Sequence, residues 1–348
     1  MAQKLFEKVG AFGDIHFGED GNSKEHNELC IKFIKWFIEQ CRENDVDLIV
    51  FMGDWHHARS SVGSETLKYS YEGTKLLNEC GIPVIFIIGN HDLFYRENRS
   101  VHSLPWLDSM DNIVVIDDPQ VIEDVLFVPW ICEGDDLSKI AQMKAKYAFG
   151  HFELPGFLMN EKYAFPDKEG ILKSEDLTHL EYVFSGHFHG RQKKVMKSGT
   201  EIHYIGNPFG HNFNDVDDPN RGMLLLEHGG EPQYINWEEG PLFSKIKLSE
   251  YLENPDKYDE RYNLKIVQDV DLTDTERNEL KETINENYSV KKLIIEPDRT
   301  PKVDEETDDT IEELDADSIE KFVIDWLKRN EGNRSDALID IFLKAEVE

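Results

Sequence analysis

The sequence predicts an α/β sandwich in which two mixed β-sheets pack face to face and helices flank them. In the first half, short β-branched and aromatic runs alternate with longer amphipathic segments. This order is typical of parallel strands joined by helical crossovers. From about Asn112 the strand candidates follow one another closely, and two packed sheets are the economical way to bury them.

The first half supplies three predicted strands and two predicted helices. On the first helix, Leu29, Phe33 and Phe37 recur at i, i+4 spacing and form one apolar face. Gly81 follows the second helix and predicts its end. In chain order the predicted elements are the strand Leu5–Phe12, the helix Lys24–Glu43, the strand Val46–Met52, the helix Glu65–Cys80 and the strand Pro83–Ile88.

The rest of the chain divides into further strands and three smaller segments. The predicted strands are Ile113–Ile116, Val125–Trp130, Tyr147–Phe149, Tyr182–Phe184, a stretch around Val195, Glu201–Tyr204, Met223–Leu226 and Gln233–Trp237. The predicted domains are a core over 1–240, a small α/β capping domain over 241–300, an acidic flexible linker over 301–316 and a helical pair over 317–348. The capping domain combines the strands Phe243–Leu248, Leu264–Val267 and Leu293–Ile295 with a polar helix from about Thr273.

The amino-acid composition of the chain excludes several classes of protein. The chain has 348 residues, of which 39% are hydrophobic, so it can bury a substantial core. No apolar run reaches the length of a membrane span, and four scattered cysteines without C-x-x-C spacing favour a reducing, cytoplasmic setting. With 70 acidic against 38 basic residues, the formal net charge is -32, which repels phosphate polyanions. Any role on nucleic acid therefore needs a local basic patch, a metal or a partner.

Polar groups stand directly after the predicted strands, at points where the loops of an α/β sheet converge in one crevice. The individual motifs are common in turns, but an ordered set rich in histidine is not. In chain order they are Gly13-Asp14-Ile15-His16, Gly53-Asp54-Trp55-His56-His57, Gly89-Asn90-His91-Asp92, Gly150-His151 and Gly186-His187-Phe188-His189.

Imidazole, carboxylate and amide donors without thiolate suit a pair of divalent metals. On extended backbone, Asp-x-His and His-x-His spacing turns alternate side chains to the same side. Asn90 can then bind metal while its neighbour His91 reaches the substrate and protonates a leaving alkoxide. Two metals activate water for hydrolytic phosphoryl transfer, so hydrolysis of a phosphate ester is the predicted reaction.

At these residues the sequence resembles the calcineurin-like metallophosphoesterase superfamily over about residues 10–210, through its pattern D-x-H, G-D, G-N-H-D/E, G-H and G-H-x-H. The resemblance implies a set of metal ligands. One metal would be held by Asp14, His16 and His189, the other by Asn90, His151 and His187, with Asp54 bridging the two.

Within that superfamily the chain is most similar to the SbcD-type double-strand-break repair nucleases, including the T-even phage recombination endonuclease subunits. Protein Ser/Thr phosphatases carry G-D-x-V-D-R-G, and the phosphate-gripping arginine of that motif is missing here. His57 instead resembles the substrate-side histidine of the nucleases, and Ile205–Phe209 resembles their G-S-P segment with Asn207 in place of serine. The resemblance implies a DNA exonuclease and endonuclease subunit acting in recombination and repair.

The resemblance also implies partners. The family binds a coiled-coil ATPase of the SbcC (SMC/ABC) type through its C-terminal helices, although this tail could instead fold back on the core. The ATPase contacts would be Phe322, Trp326, Leu338, Ile341 and Phe342. Family members form homodimers through segments that correspond here to Glu65–Glu79 and Ser100–Met110. Their apolar residues could equally belong to the core; these are Leu67, Tyr71, Leu104, Trp106 and Leu107.

The basic residues near the motifs are candidate DNA contacts, or else a solvated surface. They are Arg96, Arg99, Arg191, Lys193 and Lys194, and Asn207 is a further candidate. Manganese is favoured as the metal because carboxylate and amide oxygens are hard donors, with magnesium, iron or zinc as alternatives. The alternative functions are a phosphomonoesterase, a cyclic-nucleotide phosphodiesterase, or a non-catalytic scaffold.

Overall fold

A computed structural model describes residues 3–159, 163–168, 171–270, 272–287 and 290–297. The strands are β1 (Lys8–Phe12), β2 (Leu48–Met52), β3 (Val84–Ile87), β4 (Ile113–Ile116), β5 (Gln120–Ile122), β6 (Val125–Val128), β7 (Tyr147–Gly150), β8 (Tyr182–Ser185), β9 (Gln192–Val195), β10 (Glu201–Tyr204), β11 (Gly222–Glu227), β12 (Gln233–Asn236), β13 (Leu242–Lys247), β14 (Tyr262–Gln268) and β15 (Lys292–Pro297). The α-helices are α1 (Lys24–Glu43), α2 (Ser64–Asn78), α3 (Leu137–Gln142), α4 (Leu248–Glu253) and α5 (Asp274–Asn287). Short 3-10 helices span Pro105–Ser109, Ser174–Leu177 and Pro255–Lys257.

The first sheet has six strands in the order β12-β11-β1-β2-β3-β4. Strands β1 to β4 run parallel, and β11 pairs antiparallel with β1, so the sheet is mixed. Helix α1 covers the predicted range, and the Ser23 side chain caps it by accepting the backbone N–H of His26 at 3.4 Å. The predicted β-α-β-α-β order is confirmed, and the strand limits differ from those predicted by a few residues.

The second sheet also has six strands, in the order β5-β6-β7-β8-β10-β9. Its edge strands were the hardest to predict from the sequence. Strand β5 has only three residues, and β9 reads Gln-Lys-Lys-Val with three of its four residues exposed. Such polar edges protect a sheet from pairing with other chains, but they erase the hydrophobic pattern by which a strand is recognised.

One shared core lies between the two sheets, which confirms the predicted sandwich. Val50 and Ile87 from the first sheet pack in the same cluster as Phe127 and Phe149 from the second. A further cluster joins the first sheet to α1 through Phe33 and other residues. Each such buried side chain contributes about 1.5–3 kcal/mol to folding. The sandwich thereby fixes the ends of both sets of strands near each other.

The third sheet has the order β13-β14-β15, and all its strands are parallel. Together with α4 and α5 it encloses a small core that includes Leu264, Ile266 and Ile284. The elements predicted for the capping segment are therefore present, while its independence as a domain stays a prediction. The linker and the helical pair, including the five predicted ATPase contacts, lie outside the described residues.

The two segments expected to form a homodimer differ in their secondary structure and in how far their apolar residues are buried. The stretch Ser100–Met110 contains a 3-10 helix over Pro105–Ser109 rather than a longer helix. Leu104 and Leu107 are fully buried in the core, whereas Leu67 and Tyr71 on α2 are exposed. Trp106 is half-buried and its ring contacts Tyr71. Leu104 and Leu107 therefore serve core packing, and the homodimer stays a prediction.

Among the described residues, no helix combines the length and the apolar character that crossing a lipid bilayer would require.

Candidate metal centre

The predicted metal-binding side chains lie in the loops that leave five of the strands. Asp14 and His16 follow β1, Asp54 follows β2, Asn90 follows β3, His151 follows β7, and His187 and His189 follow β8. Four of these residues have left-handed backbone, with φ of 53° at Asp14, 51° at His16, 61° at Asp54 and 85° at His187. Residues other than glycine seldom adopt this conformation, and it persists only where the surrounding structure enforces it. The chain therefore turns sharply as it leaves these strands.

One group of potential ligands consists of Asp14, His16 and His189, whose ligand atoms all lie within 4.8 Å of one another. The Nε2 atoms of His16 and His189 are 3.2 Å apart, a separation at which the two rings can share a proton or a metal ion. The backbone N–H of His187 donates to both oxygens of Asp14, at 2.8 and 3.1 Å. This contact ties the loop after β1 to the loop after β8.

A second group consists of Asp54, His151 and His187, again with ligand atoms within 4.8 Å of one another. The side-chain oxygen of Asn90 lies 2.9 Å from His151 Nε2 and 3.0 Å from His187 Nδ1. Asp54 Oδ2 lies 3.3 Å from His151 Nε2 and 3.8 Å from His16 Nε2. Asp54 is thus the carboxylate that reaches both groups, as the bridging role predicted for it requires.

The chemistry of the donors fits bound cations. His151 Nδ1 donates to the backbone carbonyl of Met52 at 2.8 Å, which turns Nε2 toward Asp54 and Asn90. Burial lowers the pKa of His151, but the charge of Asp54 outweighs it and raises that pKa to about 9. Moreover, His16 Nδ1 is buried without a hydrogen-bond partner among the described residues. The two groups can therefore bind metal ions through nitrogen and oxygen.

Two further histidines stand beside these groups. The backbone N–H of His91 donates to Asp54 Oδ1 at 2.8 Å, and the ring Nδ1 donates to the carbonyl of His57 at 2.5 Å. The ring nitrogens of His16, His57 and His91 approach within 4.8 Å of one another. Burial lowers the pKa of His91. The structure thus brings both predicted catalytic histidines to the metal-binding residues.

Glu19 was not identified from the sequence, and it holds His57. The Nδ1 of His57 contacts one oxygen of this carboxylate, and Asn212 donates to the other at 3.0 Å. The hydrogen bond that His57 donates to Glu19 raises the pKa of His57, although partial burial lowers it. Glu19 and Asn212 are separated by 193 positions in the chain, so only the folded structure could reveal the contact.

Asp92 anchors the loops after β2 and β3. Its buried carboxylate accepts four backbone N–H groups at 2.8–3.1 Å, those of Asp54, Trp55, His56 and Gly89. Burial and the charge of Asp54 raise the pKa of Asp92 to about 7, while the backbone N–H donors oppose this shift by stabilising the charged carboxylate. The sequence placed Asp92 in a motif but gave it no role, because its partners are backbone groups that no side-chain pattern records.

The arginines predicted to contact DNA are already engaged in other interactions. The guanidinium of Arg99 donates to both oxygens of Asp135, at 2.7 and 2.8 Å, and to the carbonyl of Trp130 at 2.7 Å. Arg96 pairs with Glu153 at 2.9 Å. Arg191 lies over a tyrosine ring, with the guanidinium 4.2 Å from its centroid.

The remaining predicted DNA contacts also have partners within the chain. Lys193 pairs with Glu201 at 2.8 Å, and Lys194 lies over the ring of Phe157. Asn207 is fully buried and donates to Asp215 at 3.1 Å. The structure therefore brings the predicted metal ligands together, and leaves the predicted DNA contacts distributed around them.

A sandwich of two mixed sheets with paired histidine and carboxylate groups at the strand ends defines a metal-dependent hydrolase. Residues 7–191 match the calcineurin-like phosphoesterase family, which is more than half of the chain. The chain belongs to this family, and it carries a metal-dependent phosphoesterase domain.

Two curated relatives extend the comparison. The chain is 28% identical over 228 residues to exonuclease subunit 1 of Enterobacteria phage T4, which covers 63% of this chain and 64% of that protein. It is 32% identical over 98 residues to the DNA double-strand break repair protein Mre11 of Archaeoglobus fulgidus, covering 28% of this chain and 22% of that protein. The chain thus spans less than two thirds of either relative. The predicted relationship to the SbcD-type nucleases is confirmed.

Two solved structures are similar at a low level. A dimetal phosphatase from Danio rerio has a TM-score of 0.39 and 12% identity, over 63% of this chain and 92% of that one. The Pseudomonas putida nuclease MPE has a TM-score of 0.32 and 18% identity, over 64% of this chain and 84% of that one. Neither likeness adds to the family assignment.

Replacing Asp92 by Asn tests its role as an anchor. The variant places an NH₂ group against two buried N–H donors, and we expect a loss of roughly 3 kcal/mol or more in the free energy of unfolding. Urea denaturation measures it. The matched control is Asp47→Asn, because Asp47 also accepts backbone N–H groups, from Glu7 and Lys8, but at an exposed site where water can replace it. Equal losses in the two variants would contradict the prediction.

Metal addition tests the centre directly. A cation that binds only the folded state stabilises it by about 2.7 kcal/mol per site when its free concentration is about 100 times Kd. We expect Mn²⁺ to raise the melting temperature of chelator-treated protein, and Asp54→Asn to remove most of that increase. Asp124→Asn serves as control, because Asp124 pairs with His228 outside the centre. An increase that survives in Asp54→Asn would exclude the proposed bridging carboxylate.

Proposed function

We propose that this chain is a DNA nuclease subunit that hydrolyses phosphodiesters with two divalent metals, manganese being favoured, and that acts with an SbcC-type ATPase in recombination and double-strand-break repair. The observation that supports it most is the position of Asp54 between two groups of ligands, with His57 and His91 beside them. In this proposal the metals bind Asp14, His16 and His189 on one side, and Asn90, His151 and His187 on the other, with Asp54 shared.

The metals, when bound, would supply the Lewis acidity for attack of water on phosphorus. The chain itself orients the groups around the substrate. The His57 carbonyl accepts the Nδ1 proton of His91, so that His91 Nε2 is left to face the substrate. When this ring is protonated, Nε2 can donate to the leaving oxygen, and the pKa lowered by burial makes it a stronger acid.

His57 supplies a second function in this proposal. The contact with Glu19 raises the pKa of His57, so the ring is protonated in a larger fraction of the molecules near neutral pH. The Glu19 carboxylate offsets this charge, just as carboxylates offset the charges of Arg96 and Arg99. His57 would therefore offer a phosphate a hydrogen-bond donor beside the centre rather than a net positive charge.

DNA is favoured over a phosphomonoester by the relatives, which are named as an exonuclease subunit and a double-strand break repair protein. The word subunit in the first name also supports a partner. The paired arginines and the acidic surface are consistent with a chain that needs a partner to hold DNA firmly. The ATPase contacts predicted at Phe322, Trp326, Leu338, Ile341 and Phe342, and the homodimer, remain proposals.

Hydrolysis of labelled DNA by the full chain with Mn²⁺ tests the proposal. Duplex and single-stranded DNA are run beside p-nitrophenyl phosphate, with a chelator as the negative control. We expect His91→Ala to lower DNA cleavage by about 10²–10⁴-fold, because it removes a general acid, while the bound manganese stays unchanged. The control is His179→Ala, since His179 is exposed and contacts the Met143 carbonyl outside the centre. Turnover of the monoester alone would favour a phosphatase, and unchanged cleavage by His91→Ala would favour a scaffold.

The partner gives a second prediction. Arg96 and Arg99 are paired with carboxylates, so we expect the chain alone to bind DNA with a shallow salt dependence, with a slope of log K against log [salt] no steeper than about -3. Adding a coiled-coil ATPase of the SMC/ABC type is expected to increase nuclease activity at least about tenfold, since it supplies the missing contacts. Fluorescence anisotropy and cleavage assays measure the two quantities. Comparable cleavage with and without the ATPase would contradict the proposal.

A further inference from the structure

The ring of His187 has different neighbours at its two nitrogens. Nδ1 lies 3.0 Å from the side-chain oxygen of Asn90, on the side of the second ligand group. Nε2 lies 3.2 Å from Glu153 Oε1, which is within hydrogen-bond distance. The ring also packs against Trp130, with centroids 5.2 Å apart. One nitrogen therefore faces the potential metal ligands, and the other faces a carboxylate that the sequence analysis did not identify.

Glu153 has a further partner besides His187. It follows His151 by two residues in the loop after β7, and its side chain is 23% exposed. The same oxygen that faces His187 accepts Arg96 Nη2 at 2.9 Å, and the guanidinium lies 5.1 Å from the centroid of the Trp130 ring. Trp130 in turn donates its ring N–H to the carbonyl of Arg96 at 3.2 Å. Glu153 therefore has Arg96 as a second partner, and because Arg96 is half exposed, this ion pair contributes little to the position of the carboxylate.

We infer that Glu153 is a positioning residue, which accepts the Nε2 proton of His187 and so leaves the Nδ1 lone pair pointing at the second metal position. This inference rests on the proposed role of His187 as a metal ligand. Carboxylates in this position fix the tautomer and orientation of a ligand histidine, and their loss weakens metal binding by about 10–100-fold.

Glu153 acts through His187 and is not a ligand itself. Among the described residues, it belongs to none of the groups whose ligand atoms lie close enough to share an ion. Partial burial raises its pKa, but the hydrogen bond and charge of His187 and the charge of Arg96 lower it overall, so the carboxylate stays ionised. In the first ligand group, the comparable carboxylate is Asp215 beside His189. Its Oδ1 lies 3.7 Å from His189 Nδ1, which is too long for a hydrogen bond.

A purely structural role for Glu153 predicts a different pattern. In that case Glu153 would act only through its ion pair with Arg96. Removing either partner would then change the affinity for Mn²⁺ by the same amount. Removing Arg96 leaves the contact between Glu153 and His187 in place, whereas Glu153→Gln removes the charge behind the imidazole. The two substitutions therefore separate positioning from surface pairing.

The experiment titrates Mn²⁺ into the chelator-treated full chain by calorimetry, for wild type, E153Q and R96Q, and records the melting temperature of each metal-free protein. We expect two equivalents of Mn²⁺ in each protein. In E153Q one of them should bind about 10–100-fold more weakly, while in R96Q both should stay within about threefold of wild type. A further variant, E153D, keeps the carboxylate and should bind the weakened equivalent of Mn²⁺ more tightly than E153Q does. If E153Q lost affinity only because it misfolds, E153D would show no such recovery.

Two results would overturn the inference: wild-type affinity for both equivalents in E153Q, or an equal loss in E153Q and R96Q. A wild-type chain that binds a single Mn²⁺, unaffected by E153Q, would overturn it as well. The readout is independent of DNA cleavage. If E153Q weakens one equivalent but the wild-type chain cuts no DNA, the nuclease proposal fails and the positioning role stands.

Discussion

The Asp54 carboxylate is buried, with 2% of its side chain exposed, and the loops at this end of the two sheets are arranged around its charge. A buried carboxylate without partners would cost several kcal/mol, so the fold must bring it donors or cations. Its Oδ1 accepts the His91 N–H, its Oδ2 faces His151 and His16, and its own backbone N–H donates to Asp92. Although burial raises the pKa of Asp54, the neighbouring histidines hold it well below its usual value. One charge thus connects the loops after four strands.

The distribution of charge separates the centre from the surface. Outside, the acidic excess would repel DNA, and two of the basic residues near the centre, Arg96 and Arg99, are paired with carboxylates. Inside, each of the buried carboxylates Asp14, Asp54 and Asp92 has backbone N–H donors. Attraction for a phosphate would then come from cations bound within the centre and from Arg59, whose charge acts on His91. This explains in physical terms why a very acidic chain is compatible with a phosphoester substrate.

The sequence was sufficient to predict the helices and strands that have a clear local pattern of apolar residues. It was also sufficient to identify the motifs that contain the candidate ligands. Helix α1 and the strands of the first sheet were predicted because their apolar residues repeat at a fixed period, and the ligands because each motif follows such a strand. The supporting residues could not be found this way. Glu19 reaches His57 across 38 positions, and Asp92 acts on backbone groups. Two of the arginines predicted to contact DNA, Arg96 and Arg99, pair with carboxylates that only the folded chain brings near.

Three of the histidines at the centre are oriented in the same way. His151 donates through Nδ1 to the Met52 carbonyl, His91 through Nδ1 to the His57 carbonyl, and His187 through Nε2 to Glu153. In each case the acceptor binds the proton on the outer nitrogen and turns the other nitrogen toward the centre. The orientations of these three rings are therefore set by the fold. A centre prepared in this way needs little rearrangement on metal binding, because the cost of orienting the ligands was already met when the two sheets packed together.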